Sequence, residues 1–130
     1  MTSHFHAIVW IDHQEARIFE FGATDVERIV VHANGVNHRL HQRSRDGGRA
    51  AVDKDFLRRV CAALEGIGAL LITGPAGAKL ELRDYIATHS PALAKRISSV
   101  EPLDHPNDAA LVALARKYFR ADDRMHAQRP

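Results

Sequence analysis

A short apolar segment in the second half of the chain, Ala69–Thr73 (ALLIT), constrains the fold more than any other feature of the sequence. A continuous apolar run of this length is typical of a strand that is covered on both faces, as the strands of parallel sheets are. The segment Gly74–Gly77 (GPAG) ends the run, and residues 78–89 are predicted to form a helix. A buried strand followed by a helix indicates a sheet with helices packed against it.

The N-terminal third of the chain predicts three antiparallel strands. The segments Phe5–Ile11, Ala16–Phe21 and Val26–His32 are rich in β-branched and aromatic residues and are separated by short polar turns. Trp10 and Phe19 are expected in the core. The complete predicted order is β-β-β-loop-α-β-α-β-α. We therefore predict a single α/β domain with a mixed sheet, in which the last strand of an N-terminal antiparallel meander begins a β-α-β-α-β-α series with helices on the faces of the sheet.

Capping residues and helical periodicity predict the remaining elements. Asp53 is placed to cap a helix, Pro91 opens a short helical turn, and Ile97–Val100 is predicted to be a short strand. Pro106 is expected at the first position of the last helix. Apolar residues recur at helical spacing in the first and last helices and predict their buried faces: Phe56, Leu57, Val60, Cys61 and Leu64; Leu111, Val112, Ala115, Tyr118 and Phe119.

Length and composition fit one globular domain, since the chain has 130 residues and is 45% hydrophobic. We predict that the domain occupies residues 1–119, with a mobile basic loop at 33–52, and that residues 120–130 form a flexible tail. Cys61 is the single cysteine, which excludes a disulfide framework. The sequence contains neither a signal-peptide pattern nor an apolar stretch of about 20 residues, so a cytoplasmic protein without membrane contact is expected.

The predicted loop is strongly basic around a pair of glycines. Between residues 32 and 51 the only acidic residue is Asp46, and the basic side chains and the glycine pair are Arg39, Arg43, Arg45, Arg49, His38, His41, Gly47 and Gly48. Such a local excess of positive charge favours an anionic partner, of which nucleic acid is the commonest. A solvated loop without a partner is the alternative.

Lys79 is a candidate for one further phosphate contact. It closes the stretch Thr73–Lys79 (TGPAGAK), where a strand passes into a helix and free backbone N–H groups attract anions. The spacing is shorter than in the phosphate-binding loop of nucleoside triphosphatases, and Leu80 stands where that pattern needs serine or threonine. A glycine-built turn is therefore preferred to a nucleotide site, and a phosphate contact by Lys79 stays open.

Two other patterns suggest metal chemistry, and each has a simpler interpretation. Asp12 ends the first strand, where nucleases of the ribonuclease H type carry a metal-binding carboxylate, but no other carboxylates follow in a matching pattern. A turn aspartate is preferred. His4 and His6 share one strand face and could hold zinc together with His32, but a fourth ligand is missing and exposed histidines are preferred. We therefore predict neither a metal nor a cofactor, and we expect Cys61 to be a buried, inert thiol.

Four segments of the chain, taken together, resemble the middle domain of the class-1 peptide-chain release factors of eukaryotes and archaea, which the related Pelota-type ribosome rescue factors share. The segments are AIVWIDHQEARIFEF, DKDFLRRVCAAL, ALLITGPAGAKLEL and VEPLDHPNDAALVALARKYF, and the basic loop lies between the first two. The chain looks closest to small stand-alone bacterial proteins of the same superfamily. The resemblance extends from about His6 to Phe119 and implies the same α/β fold and a role on the ribosome.

The tip of the loop departs from the release-factor pattern. In release factors the loop carries a Gly-Gly-Gln tip that promotes hydrolysis of the peptidyl-tRNA ester, whereas the matching residues here are Gly47, Gly48 and Arg49. Arginine cannot accept a hydrogen bond and is permanently charged, so it is poorly suited to positioning a water molecule at an ester. Pelota-type proteins lack the glutamine motif and still act on stalled ribosomes. The resemblance therefore favours binding over catalysis.

The expected function is that of a ribosome- or RNA-associated accessory protein in translation rescue or quality control. In this hypothesis the partner is the ribosome, through ribosomal RNA or tRNA, and the contacts come from Arg39, Arg43, Arg45, Gly47, Gly48, Arg49 and Lys79. Two alternatives stay open. One is a peptidyl-tRNA or RNA hydrolase that depends on Arg49 or Asp12. The other is a protein–protein interaction domain without nucleic acid, such as a homodimer joined through an exposed strand edge.

Overall fold

The computed structural model describes residues 5–33 and 53–125 of the chain. Within these ranges the elements, numbered here in chain order, are β1 (His6–Ile11), β2 (Glu15–Phe21), β3 (Val26–His32), α1 (Lys54–Ala63), β4 (Ala69–Gly74), α2 (Ala78–His89), α3 (Pro91–Ala94), β5 (Ile97–Pro102) and α4 (Asp108–Met125). Each strand and helix predicted from the sequence for these ranges is present. Of the helices in the described ranges, none is long and apolar enough to cross a membrane.

The five strands form one mixed sheet in the order β3-β2-β1-β4-β5. Strands β3, β2 and β1 are antiparallel neighbours, whereas β4 runs parallel to both β1 and β5. The predicted N-terminal meander and the predicted parallel strand are therefore both confirmed. Of the three interior strands, β1 and β4 are the most completely buried, because helices and neighbouring strands cover them on both faces.

The side chains of strand β1 belong to two hydrophobic clusters, one on each face of the sheet. These side chains alternate between the two faces. Ala7, Val9 and Ile11 pack in the cluster that contains the buried stripe of α1 and the residues Leu82 and Ile86 of α2, while Ile8 and Trp10 pack on the other face. On that second face they meet the buried stripe of α4, which comprises Leu111, Ala115 and Phe119. All these β1 side chains are at most 1% exposed, which explains the nearly uninterrupted apolar sequence of the strand.

The last helix differs from its prediction at both ends. Its cap is Asn107, whose Oδ1 accepts an N–H of the first turn at 2.8 Å, so Pro106 is not the first helical residue. Pro106 instead presents its carbonyl oxygen to Nη2 of Arg17 at 2.8 Å. The helix also continues past residue 119 to Met125, so the first part of the predicted tail is helical. Residues 126–130 lie outside the described ranges, and the prediction of a flexible tail remains a prediction there.

Candidate functional site

The candidate site is the edge of the sheet at which the predicted basic loop at 33–52 begins. We call this loop the basic segment, and we call this edge of the sheet the loop edge. It is the edge at which β1, β3, β4 and β5 end and β2 begins, as the pairing of the strands requires. The chain leaves the described part of the structure here, after Ala33, and enters it again at Asp53. The residues Arg39, Arg43, Arg45, Gly47, Gly48 and Arg49 lie outside the described ranges, so their RNA contacts remain a prediction.

Hydrogen bonds hold the departure point of the segment on the sheet. The N–H of Ala33 donates to the carbonyl oxygen of Gln14 at 2.9 Å, which links it to the turn between β1 and β2. The guanidinium of Arg59, in helix α1, donates to the carbonyl oxygen of His32 at 2.9 Å. The helix that follows the basic segment is thereby joined to the strand that precedes it.

The first turn of α1 is held by a cap and by ion pairs. Asp53 accepts the N–H of Asp55 and so caps the helix, as predicted. The carboxylate of Asp55 also contacts Arg58 at 2.6 Å and Arg59 at 3.0 Å. Hydrogen bonds from these two arginines lower the pKa of Asp55 below its usual value. These two ion pairs were not predicted from the sequence, although residues spaced three and four positions apart on a helix are neighbours on its surface.

Asp12 organises the turn between β1 and β2. Its Oδ1 accepts the N–H of Gln14 at 2.8 Å and the N–H of Glu15 at 2.9 Å, which makes it a turn aspartate. The preferred interpretation from the sequence is therefore confirmed. Among the described residues there is also no group of three or more histidine, cysteine or acidic side chains that could hold a metal ion.

Gly74 is required by the close approach of β4 to β1. A Cβ atom at this position would lie 2.2 Å from the carbonyl oxygen of Ile11, a distance that no side chain can occupy. The adjacent Thr73 is buried and donates its hydroxyl to the carbonyl oxygen of Val9 at 2.8 Å. The carbonyl oxygen of Gly74 accepts the N–H of Leu103 at 2.9 Å, so the ends of three strands are joined at this turn.

Lys79 lies beside this turn, in the first turn of α2, and is partly exposed. Its Nζ donates to the carbonyl oxygen of Ala76, which keeps the ammonium group over the glycine-built turn. The carboxylate of Glu81, in the same helical turn, lies 4.0 Å from Nε2 of His13. The position of Lys79 at the loop edge agrees with its expected location, and its contact with phosphate remains a prediction.

A second cluster near the loop edge was not found from the sequence. The guanidinium carbon of Arg17 lies 4.7 Å from the centre of the Trp10 ring, and Nη1 of Arg17 contacts Asp108 at 2.8 Å. Arg28 contacts the other oxygen of the same carboxylate, also at 2.8 Å. The hydrogen bond from Arg17 is the main reason why the pKa of Asp108 is lowered. Trp10 itself donates its indole N–H to the carbonyl oxygen of Asp104 at 2.6 Å.

The zinc hypothesis that combined His6 with His32 is wrong. His6 pairs with Phe21 at the end of β2, whereas His32 pairs with Glu15 at the beginning of β2. The two histidines therefore lie at opposite edges of the sheet, about 20 Å apart at the usual rise of about 3.3 Å per residue. The third residue of that hypothesis, His4, lies outside the described ranges.

Most of the residues assigned to the core from the sequence are buried, whereas Val112 and Tyr118 of the predicted stripe of the last helix are only partly buried. Trp10 and Phe19 are 1% and 4% exposed, and Cys61 is a free, buried cysteine. Burial raises the pKa of the Cys61 thiol, which disfavours the reactive thiolate. The expectation of an inert thiol agrees with this environment.

The fold assigns the chain to a class of α/β domains in which three antiparallel strands continue into a parallel pair. Among solved structures, this class includes domains of translation termination-like factors. The match with Pelota of Archaeoglobus fulgidus covers 88% of this chain and 31% of the Pelota chain, with a TM-score of 0.61 and a sequence identity of 18%. The match with the archaeal translation termination factor aRF1 covers 92% of this chain and 39% of the aRF1 chain, with a TM-score of 0.56 and a sequence identity of 13%.

A third match is Dom34 of S. cerevisiae, described as a translation termination-like factor involved in RNA quality control pathways and interacting with Hbs1. It matches 90% of this chain and 33% of its own, with a TM-score of 0.54 at 8% identity. The chain thus spans about a third of the length of these structures. No protein-family model and no curated protein matches it. The fold predicted by the resemblance is confirmed.

Proposed function

We propose that this chain is a ribosome- or RNA-associated accessory protein that acts in translation rescue or quality control. The observation that carries the proposal is the fold, which the chain shares over 88–92% of its length with Pelota, aRF1 and Dom34. One of these, Dom34, is described as a factor of RNA quality control pathways. A domain of this fold is therefore suited to work on the translation machinery.

The contacts with RNA are assigned to the basic segment, which leaves the described part of the structure at the loop edge. Its four arginines, Arg39, Arg43, Arg45 and Arg49, carry permanent charge, and each can form a bidentate contact with a phosphate group. Gly47 and Gly48 allow the backbone to approach RNA closely. Since Arg49 stands where release factors have glutamine, the proposed activity is binding without ester hydrolysis.

The described residues provide a firm base for such a segment. It departs at Ala33, which is hydrogen-bonded to the turn that Asp12 organises, and it ends at the capped first turn of α1. Arg59 links that helix to the end of β3. A ribosome-binding segment needs a base of this kind, because a contact made at the tip is useful only if the rest of the domain is held in one orientation.

Cosedimentation with ribosomes tests the proposal. The test variant replaces the four arginines, Arg39, Arg43, Arg45 and Arg49, by alanine. The control variant removes the same number of exposed positive charges elsewhere, by replacing Arg83, Lys95, Arg96 and Lys117 with alanine. We expect the test variant to stay in the supernatant and the control variant to pellet like the wild type. If the test variant pellets as well as the wild type at every salt concentration, the proposal is wrong.

A further inference from the structure

A cleft lies at the edge of the sheet opposite the loop edge. It is bounded by the turn between β2 and β3 and by the second half of α4, and its volume is about 450 Å³. This volume is within the range of small-molecule sites, about 300–1,000 Å³. The residues that matter for its chemistry are His6, Phe21, Thr24, Asp25, Arg116 and Arg120.

One wall of the cleft is aromatic. The rings of His6 and Phe21 line the cleft and are both partly exposed. His6 is held in place by stacking on Phe119, with the ring centres 4.4 Å apart, and Phe119 is itself only 4% exposed. Flat, partly exposed rings on a rigid support are the surfaces on which nucleic-acid bases stack.

Helix α4 brings positive charge to the cleft. Arg116 and Arg120 lie four residues apart on α4, so their side chains share one face of the helix. The guanidinium of Arg116 lies 5.6 Å from the centre of the Phe21 ring, which brings a cation next to the aromatic wall. Two guanidinium groups exceed the single carboxylate in the lining, that of Asp25.

The rim of the cleft offers polar groups. It is formed by the turn at Gly22–Asp25, which the hydrogen bond from the N–H of Gly22 to the carbonyl oxygen of Asp25 closes at 2.9 Å. The hydroxyl of Thr24 can donate and accept, and the carboxylate of Asp25 can accept from amino or hydroxyl groups. Aromatic, cationic and hydrogen-bonding groups thus surround one small volume.

We propose that this cleft binds a nucleotide. The base lies against His6 and Phe21, and the phosphate contacts Arg116 and Arg120. At the sugar or the base edge, the hydroxyl of Thr24 donates or accepts a hydrogen bond and the carboxylate of Asp25 accepts one. The shared chemistry is an aromatic base joined to a phosphate, whether it comes from a free mononucleotide or from an unpaired position of an RNA strand. The inference goes beyond the proposed function and is independent of it, because none of the residues that line the cleft belongs to the basic segment.

An NMR titration of the isotope-labelled full chain, without ribosomes, tests the cleft directly. The probes are 5′-mononucleotides, short single-stranded RNA oligonucleotides and inorganic phosphate. We expect mononucleotides to shift the amide signals of residues 21–26 and 115–120. Tighter binding of the oligonucleotides would support an RNA strand as the source, and equal binding of the mononucleotides would support a free nucleotide.

Three variants separate the contributions. Arg116→Ala and Phe21→Leu should each weaken mononucleotide binding about tenfold, because a charged phosphate contact and a stacked base each contribute on this scale. Lys117→Ala is the matched control, since Lys117 is exposed on the same helix but does not line the cleft, and it should bind like the wild type.

Any of three results would overturn the inference. The first is the absence of shifts at the cleft with millimolar mononucleotide. The second is unchanged affinity in both Arg116→Ala and Phe21→Leu. The third is inorganic phosphate binding as tightly as the mononucleotides, because the base would then contribute nothing. A protein that binds neither ribosomes nor RNA but still binds mononucleotides at the cleft would refute the proposed function and leave the cleft assignment standing.

Discussion

Gly74 is the residue at which the close approach of two strands depends on the absence of a side chain. A methyl group there would collide with the backbone oxygen of Ile11, at 2.2 Å, and backbone cannot move aside as the end of a flexible side chain can. We expect Gly74→Ala to lower the free energy of unfolding by about 2–3 kcal/mol, the upper part of the usual cost of overpacking, because the clash is with backbone. Chemical denaturation followed by the fluorescence of Trp10 measures this.

Gly77 provides the matched control for this substitution. It lies in the same turn, and a Cβ atom there would have no neighbour within 4 Å. Gly77→Ala should therefore change the free energy of unfolding by less than about 1 kcal/mol. Equal effects of the two substitutions would mean that the contact between β4 and β1 is not as tight as described.

The ion pairs of Asp108 with Arg17 and Arg28 should make the stability of the fold depend on pH. Hydrogen bonds from Arg17 and then Arg28 lower the pKa of Asp108 in the folded state below its usual value. The ionised carboxylate therefore stabilises the fold above the unfolded-state pKa, and this contribution is lost as the pH falls through the lower, folded-state pKa. Since the side chain is 41% exposed, the stabilisation should be no more than about 1 kcal/mol.

The comparison of Asp108→Asn with the wild type tests this dependence. We expect the variant to be less stable than the wild type at about pH 7 and the difference to shrink as the pH falls below the unfolded-state pKa of about 3.9, since the carboxylate is then protonated first in the unfolded state and at still lower pH in the folded state. Asp84→Asn is the control, because Asp84 is 70% exposed and its ion pair is with the neighbouring Arg83 on the surface. A difference for Asp108→Asn that is constant over this range would contradict the assignment.

Helix α4 provides the apolar layer on one face of the sheet, and its two faces should respond differently to the same substitution. Leu111 is fully buried against the sheet, whereas Leu114 is 36% exposed. Leu111→Ala should lower the free energy of unfolding by about 2–5 kcal/mol, because it removes buried apolar surface and leaves a cavity. Leu114→Ala should cost less than about 1 kcal/mol and serves as the control for helix propensity. Similar losses in thermal or urea denaturation would contradict the packing.

The elements whose signals are local could be predicted from the sequence. The apolar stripe Phe56–Leu64 identifies the buried face of α1, and the cap at Asp53 identifies its beginning. The start of α4 was predicted too early because proline is common at the first helical position. In the structure Asn107 caps the helix, since its side-chain oxygen accepts an N–H of the first turn, and the helix begins at Asp108. Its end was placed too early because the polar sequence after Phe119 gives no apolar stripe, although a polar helical turn needs none.

At the scale of the whole molecule, contacts between distant residues limit what the sequence predicts about the site. Arg17 and Asp108 are 91 positions apart, and no local pattern joins them or brings Arg17 over Trp10. The cleft between α4 and the β2–β3 turn is likewise formed by residues that are distant in the sequence, so no local pattern indicates it. By contrast, the strand order that separates His6 from His32 was predictable, because three antiparallel strands put the start of the first and the end of the third at opposite edges.

The central claim is that the arginines of the basic segment bind RNA through phosphate contacts, and the salt dependence of binding tests it most directly. The measurement is the affinity of the wild type and of the four-arginine variant for ribosomes over a series of salt concentrations. Each phosphate contact contributes about one unit to the slope of log affinity against log salt, so loss of four contacts should flatten the slope by about four units. Parallel lines for the two proteins would contradict the claim.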